Sequence, residues 1–421
     1  MIKVKLDEFL RGSIILVVMF GLYNLLNYVF QISMARMLGP SDYGVLAVLM
    51  SIVYIFSIPS EAIQTIITRY TSKFNIKKEY GKIKDLLFRS LWKGAIFSFI
   101  VFLIFLFISI FLSVWLNIEF YLLGITGIII FFSFFIPITR GVMQGTKKFK
   151  KMGLNMIIEA ALKVIITVSL VFIGLRTYGA MGGVVIALLI AFILSFSFIK
   201  EVLASKRKKV DFGKIYSYNF PSLVAITSIV LMYTIDILLA RRFFSPELAG
   251  QYAFVSLVGK AIVFANFAVG KAMFPLASEK FEKGTETKSL FKKSIVFVFL
   301  ISGIALLFYF LFPEFVIRVL SLGSTKYLAA SSVLFLLGLA FTFTSFSNII
   351  ILYNLSIGKM KKSAYFLLIF VLIEVMLLGI FNSNILEFSI SLMIANLIML
   401  LYSLFFTIKK TKGTHPNGSD L

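Results

Sequence analysis

The stretch Ala35-Arg36-Met37-Leu38-Gly39-Pro40-Ser41-Asp42-Tyr43-Gly44-Val45-Leu46-Ala47 governs how the rest of the chain is read. Apolar runs flank it at residues 12–37 and 43–68, each long enough for a membrane span of roughly 20 residues. Gly39 suits a left-handed cap that closes the first helix, Pro40 stops its continuation, and Ser41 or Asp42 suits the N-cap of the second. The pattern returns later in the chain. Tyr28, Gln31, Ala35 and Arg36 match Tyr233, Asp236, Ala240 and Arg241 at a constant offset of 205. One inserted residue then aligns Pro40, Gly44 and Ala47 with Pro246, Gly250 and Ala253. A looser echo pairs Gly145 and its following lysines, ahead of Glu159, with Gly358, Lys359, Lys361 and Lys362, ahead of Glu374. The chain therefore reads as two related halves.

Of the 421 residues, 60% are hydrophobic, 16% aromatic and only 14% charged, with a mean hydropathy of +0.99. That composition excludes a water-soluble fold. About twelve spans follow, at residues 12–37, 43–68, 92–116, 119–140, 154–175, 178–200, 217–240, 248–277, 294–316, 327–350, 364–382 and 385–408. The first, although preceded by Lys3, Lys5 and Arg11, is too long for a signal peptide and opens a polytopic series. The expected fold is an all-α polytopic membrane protein: two six-helix lobes related by a pseudo-two-fold axis along the membrane normal, with a cavity between them. The boundaries are residues 1–204 for the first lobe, 205–216 for a basic cytoplasmic linker, 217–412 for the second lobe and 413–421 for a polar tail.

Charge fixes the topology. The chain holds 42 Lys+Arg against 19 Asp+Glu, a formal net charge of +23. In a membrane protein this excess marks cytoplasmic connections rather than a nucleic-acid partner. Every second connection is basic, and together these hold 33 of the 42 basic residues, so both termini are expected in the cytoplasm of a cell-membrane protein. Within the connection from Arg69 to Lys93, Ile83, Leu86, Leu87 and Leu91 share one helical face, which suits a short helix lying on the inner leaflet. The external loops are short and leave no room for a catalytic domain. There is no cysteine, and the single histidine, His415, lies in the tail, so neither thiolate nor imidazole chemistry, nor a metal site built on them, is available within the spans.

The turn Ala35-Arg36-x-Leu38-Gly39-Pro40-x-Asp42-Tyr43-Gly44-x-Leu46-Ala47, after a span bearing Asn24, Asn27 and Gln31, resembles the polysaccharide-biosynthesis flippases of the multidrug/oligosaccharidyl-lipid/polysaccharide (MOP) superfamily. Asp236 to Arg242, Ser245-Pro246-Glu247-x-Ala249-Gly250-x-Tyr252-Ala253 and Arg140-Gly141-x-x-Gln144-Gly145-x-x-x-Phe149 carry the same likeness. The resemblance implies a transporter rather than an enzyme, with a cavity lined mainly by spans one, two, seven and eight. It also implies a polyprenyl-linked, pyrophosphate-bearing oligosaccharide as substrate. Membrane lipids and other polysaccharide-assembly proteins are the expected partners, no nucleic acid among them, and a monomer is expected. No resident cofactor is expected beyond a coupling Na+ or H+. No Gly-x-x-x-x-Gly-Lys-Ser/Thr loop is present, so ATP is not the direct energy source.

Ionisable groups in spans are costly and tend to face a cavity or a partner. Lys260 and Lys271 lie close to three turns apart on span eight, at roughly 16 Å along the axis, and suit a phosphate moving past them; Lys271 equally suits snorkelling to headgroups. Asn24, Asn27 and Gln31 on span one form one polar stripe, and Ser57, Glu61, Gln64 and Thr68 on span two form another; cavity lining and interhelical hydrogen bonding are both open to them. Glu159 and Lys163 sit four apart, in the order that favours a mutual ion pair. Asp236, in place of Gln31 of the repeat partner, is suited to bind a coupling ion, to neutralise Lys260 or to pair with Arg241. Glu61 and Glu374 complete the set for ion coupling or charge balance. Pro59 and Pro275 are expected to kink their spans. The rival readings are a cation-coupled multidrug exporter of the same superfamily and a membrane polysaccharide polymerase.

Overall fold

The computed structural model describes residues 2–210, 220–358 and 363–411, and every regular element among them is helical. A bilayer offers backbone amides no water, so a spanning chain satisfies them within helices. The chain divides into two compact units, Met1–Tyr218 and Asn219–Leu421. The first holds α1 (Ile2–Ile76), α2 (Tyr80–Leu116), α3 (Phe120–Ser133), α4 (Ile136–Gly145), α5 (Phe149–Leu170), α6 (Arg176–Phe198) and the short α7 (Lys200–Ala204). The second holds α8 (Phe220–Met232), α9 (Ile235–Phe243), α10 (Pro246–Glu282), α11 (Lys288–Leu311), α12 (Pro313–Leu320), α13 (Leu334–Ser356), α14 (Leu367–Ile380) and α15 (Ile385–Thr411). The chain is thus a multi-pass membrane protein.

Nine helical stretches among the described residues are long and apolar enough to cross a membrane. Two of these, Val18–Ile76 and Phe149–Phe198, each hold two of the twelve predicted spans. Their joints are glycines in the left-handed region, Gly39 (φ 72°) and Gly174 (φ 96°), where a side chain would be strained. The shorter apolar helix Ala364–Ile380 supplies the remaining span. Pro59 and Pro275 do not break their helices: within α1 only Gly39 leaves helical dihedrals, and α10 runs unbroken from Pro246 to Glu282. The polar tail with His415, the linker residues 211–216 and the basic run 359–362 lie outside the described residues.

In the first unit α1 packs on α4 and α5, and α5 on α6; in the second α10 and α15 both pack on α13. The most apolar stretches of α2 and α11 are only 17% and 22% buried, against 61% for that of α10, which places α2 and α11 at the lipid-facing rim of their lobes. One expectation is overturned here. Ile83, Leu86 and Leu87 do not lie on a leaflet: α2 runs without interruption from Tyr80, and these residues enter the core with Ile67, Val142, Met152, Ile199 and Val202, with Leu91 packed against it. Helical periodicity marks an apolar face, and the neighbouring helices decide whether protein or lipid covers it.

Close approach of α4 to α1 depends on glycine. A Cβ at Gly141 would lie 2.9 Å from the Gln64 carbonyl oxygen, and one at Gly145 would lie 2.7 Å from the Thr68 carbonyl oxygen. Gly145→Leu should therefore cost about 1–3 kcal/mol, seen as a lower unfolding midpoint of the purified protein in detergent. Gly124→Leu, with nothing within 4 Å of its Cβ position, is the matched control and should leave the midpoint unchanged.

Candidate functional site

Each lobe buries a cluster of charged and polar side chains within its helical core. In the first, four-residue steps along α5 put Asn155, Glu159, Lys163 and Thr167 on one buried face. Arg140 of α4 reaches this face: its Nε donates to Asn155 Oδ1 at 2.9 Å and its Nη2 to Glu159 Oε2 at 2.5 Å. Asn155 Nδ2 in turn donates to the Ala191 carbonyl at 2.8 Å, tying the cluster to α6. Glu159 is thus paired with Arg140, not with Lys163 as the four-residue spacing suggested. Lys163 donates instead to the Asn27 side-chain oxygen of α1, with its ammonium 4.7 Å from the centre of the Phe30 ring. A guanidinium offers a carboxylate a planar fork that an ammonium lacks, which favours Arg140 as the partner of Glu159.

The polar stripes of α1 make contacts inside the same lobe. Gln31 accepts from the Tyr43 hydroxyl at 3.4 Å, across the Gly39 joint. Gln64 Nε2 donates to Gln144 Oε1 at 3.0 Å, and the Thr68 hydroxyl donates to the same oxygen at 3.1 Å. Asn24 and Glu61 are exposed.

The second cluster centres on Asp236 of α9, which is fully buried. Lys260 Nζ donates to its two oxygens at 2.9 and 3.2 Å, the Ser256 hydroxyl donates at 2.6 Å and the Tyr252 hydroxyl at 3.3 Å. Tyr252, Ser256 and Lys260 lie at four-residue steps on one buried face of α10. Phe388 of α15 packs edge-on against Tyr252, and Phe341 of α13 lies 5.3 Å beneath the Lys260 ammonium. Glu374 of α14 is fully buried, acts electrostatically on Asp236 and Lys260, and has no hydrogen-bond partner for either oxygen among the described residues. Lys271, further along α10, is exposed, so it and Lys260 occupy different surroundings.

Arg140, Asn155, Gln144, Tyr252 and Ser256 complete these clusters and were not singled out as site residues in the sequence. The repeated four-residue spacing on α5 and α10 carries a signal for Asn155, Tyr252 and Ser256. Arg140 reads from sequence as a base in a cytoplasmic connection, whereas it sits inside α4 and is 9% exposed. No group of three or more potential metal-ligating side chains is found among the described residues.

Breaking a buried ion pair from one side leaves an uncompensated charge, at a cost of about 3–5 kcal/mol. Lys260→Met and Asp236→Asn should each lower the unfolding midpoint strongly, and the double variant should recover much of the loss. Thermal unfolding of the three variants in detergent checks this.

Comparison with known proteins gives the chain its place. Over an alignment of 278 residues that covers 62% of this chain, the sequence is 24% identical to an uncharacterized membrane protein of Methanocaldococcus jannaschii, and the match spans 65% of that protein's length. The fold is shared with an inward-facing multidrug resistance MATE family transporter of the MOP superfamily (TM-score 0.75, 14% identity, 93% of this chain and 96% of the other). A eukaryotic MATE transporter, AtDTX14, is similar over 96% of both chains (TM-score 0.67, 16% identity). A MOP superfamily transporter from Pyrococcus furiosus, described by the reversed polarity of its binding pocket, is similar over 97% of this chain and 96% of the other (TM-score 0.58, 14% identity). Residues 9–281 match the polysaccharide biosynthesis protein family; the chain belongs to that family, on the two-lobe fold of the MOP superfamily transporters.

Proposed function

We propose that this protein is a flippase that moves a lipid-linked oligosaccharide, joined to its polyprenyl carrier through phosphate or pyrophosphate, from the inner to the outer leaflet. It works by alternating access in the cell membrane, with both termini cytoplasmic, and is driven by a Na+ or H+ gradient. The observation that carries the reading is the charge balance of the first cluster. Arg140 is balanced by Glu159, while Lys163 is held by a neutral amide and an aromatic ring. The cluster therefore has a surplus positive charge, which suits an anionic substrate and disfavours a cationic drug. Asn24, Asn27, Gln31 and Gln64 supply the amide chemistry that sugars need.

The second cluster has the opposite balance. Asp236 is committed to Lys260, which removes that lysine from first contact with phosphate, while Lys271 on the same helix is exposed. Glu374 adds a second carboxyl group, without hydrogen bonds, to the same surroundings. A group so placed gains from binding a proton or a sodium ion, since either compensates a charge that burial makes costly. That arrangement supports coupling to a cation gradient, with Glu61 an exposed acid on α1.

The test is reconstitution in liposomes with a polyprenyl-pyrophosphate oligosaccharide under an imposed Na+ or pH gradient, reading lipid transfer between leaflets. Wild-type protein should flip the lipid and follow one gradient. Lys163→Gln should slow flipping by at least about tenfold, the effect of a lost charge-assisted contact worth roughly 1.5–3 kcal/mol. Glu374→Gln should flip without responding to the gradient. Gradient-driven uptake of organic cations with no lipid transfer would establish the drug-exporter reading instead.

A further inference from the structure

A further buried carboxylate lies apart in sequence from the clusters above, at the basic end of the first lobe. Asp85, fully buried in the second turn of α2, accepts from Arg207 Nε at 2.7 Å, from Arg89 Nε at 3.0 Å and from the Val210 backbone amide at 3.1 Å. Lys84 Nζ donates to the Leu203 and Ser205 carbonyls, at 2.5 and 3.0 Å. The Lys208 amide donates to the Gly81 carbonyl at 3.0 Å, where a Cβ on Gly81 would come within 2.3 Å of the Lys206 carbonyl oxygen. The first half of the sequence-predicted linker is thus docked onto α2. It carries four consecutive exposed cations, Lys206 to Lys209, on a fixed backbone.

Beside those cations the surface turns aromatic and then apolar. The Arg207 guanidinium lies 5.9 Å from the centre of the Phe88 ring. Phe88 (40% exposed) and Trp92 (71%) are one turn apart on α2, and Ile96, Ile100 and Leu103 continue the same exposed stripe along the helix. Trp and Phe adjoining clustered bases are the composition of the water–lipid boundary. The Lys77, Lys82 and Lys208 charges converge on Glu79 nearby, so cations outnumber carboxylates at this end of the lobe.

We propose that the docked segment Lys206–Lys209, with Arg89, Phe88 and Trp92, is a binding site for an anionic phospholipid of the inner leaflet. The cations hold the headgroup phosphate, and the stripe from Phe88 to Leu103 carries the acyl chain. That stripe is what a free phosphate has no use for, and it commits the site to a lipid. Asp85 acts as a positioning residue: it holds Arg89 and Arg207 side by side and touches no lipid.

Purified protein is titrated with phosphatidylglycerol or phosphatidylcholine in detergent, and retained lipid is read by native mass spectrometry. One basic side chain near an anionic surface corresponds to roughly a fivefold preference, so wild-type protein should favour phosphatidylglycerol by at least that factor. Lys206→Gln/Lys208→Gln/Lys209→Gln keeps the Arg207–Asp85 pair and should bring the ratio toward one with no change in unfolding midpoint. Trp92→Ala should weaken retention of both lipids, and phosphatidylglycerol should slow tryptic cleavage at Lys206–Lys209 in wild-type protein. An unchanged ratio in the triple variant, or displacement of phosphatidylglycerol by millimolar inorganic phosphate, would overturn the proposal.

Discussion

An ion buried in a low-dielectric interior must find compensation within the protein, and that constraint organises both lobes. In the first, Glu159 is met by Arg140 from another helix, and Asn155 meets the same guanidinium. In the second, Asp236 gathers an ammonium and two hydroxyls from a single face of α10. Each acid draws its partners across a helix–helix contact, so the charge pairs fix which helices adjoin and at what register. Apolar packing alone sets register less tightly, because one leucine contact substitutes for another.

Such pairing needs helices that come close enough for short side chains to meet. Gly141 and Gly145 let α4 press against α1 at backbone distance, which brings Gln144 to Gln64 and Thr68. The same seating of α4 points Arg140 at α5. In a membrane no hydrophobic drive pulls helices together, so small residues and interhelical hydrogen bonds take that part. The glycine pair and the Arg140–Glu159 bond are two consequences of one contact geometry.

Spans, the Gly39 joint and the duplication were legible because each is a local property: apolar length, a glycine-proline turn, a repeated spacing. Partner choice was less legible, because partners arrive from other helices. The i, i+4 rule suggested Lys163 for Glu159, since it sees neighbours on the same helix. Arg140 arrives from nineteen residues away in sequence, through a turn whose geometry the sequence does not display. Likewise the face of Ile83, Leu86 and Leu87 was visible as apolar, while the helices that cover it, and the docking of Arg207 onto Asp85, are decided by tertiary contacts. Lys260 was picked out by its depth in an apolar span, and its engagement with Asp236 was among the alternatives that depth left open.

The repeat shows how the two lobes came to differ. Gln31 and Asp236 occupy the same position, one an amide and the other an acid. At the positions aligned with Tyr252, Ser256 and Lys260, the first lobe carries Leu46, Met50 and Tyr54. Where the acid is present, three donors stand opposite it; where the amide stands, Tyr43 donates to it and the aligned leucine and methionine are buried in apolar packing. An acid without those donors would be stranded, and the donors without the acid would be unsatisfied polar groups, so the set is tolerable in lipid only as a whole. The first lobe places its ions on α4 and α5 instead, with two cations to one acid; the second places two acids against one lysine. A strictly symmetric pair of lobes would offer the same charge twice. Opposite surpluses on one duplicated scaffold suit the proposed carrier of an anion driven by a cation: the positive surplus of the first cluster carries the substrate reading, and the acids of the second supply its complement.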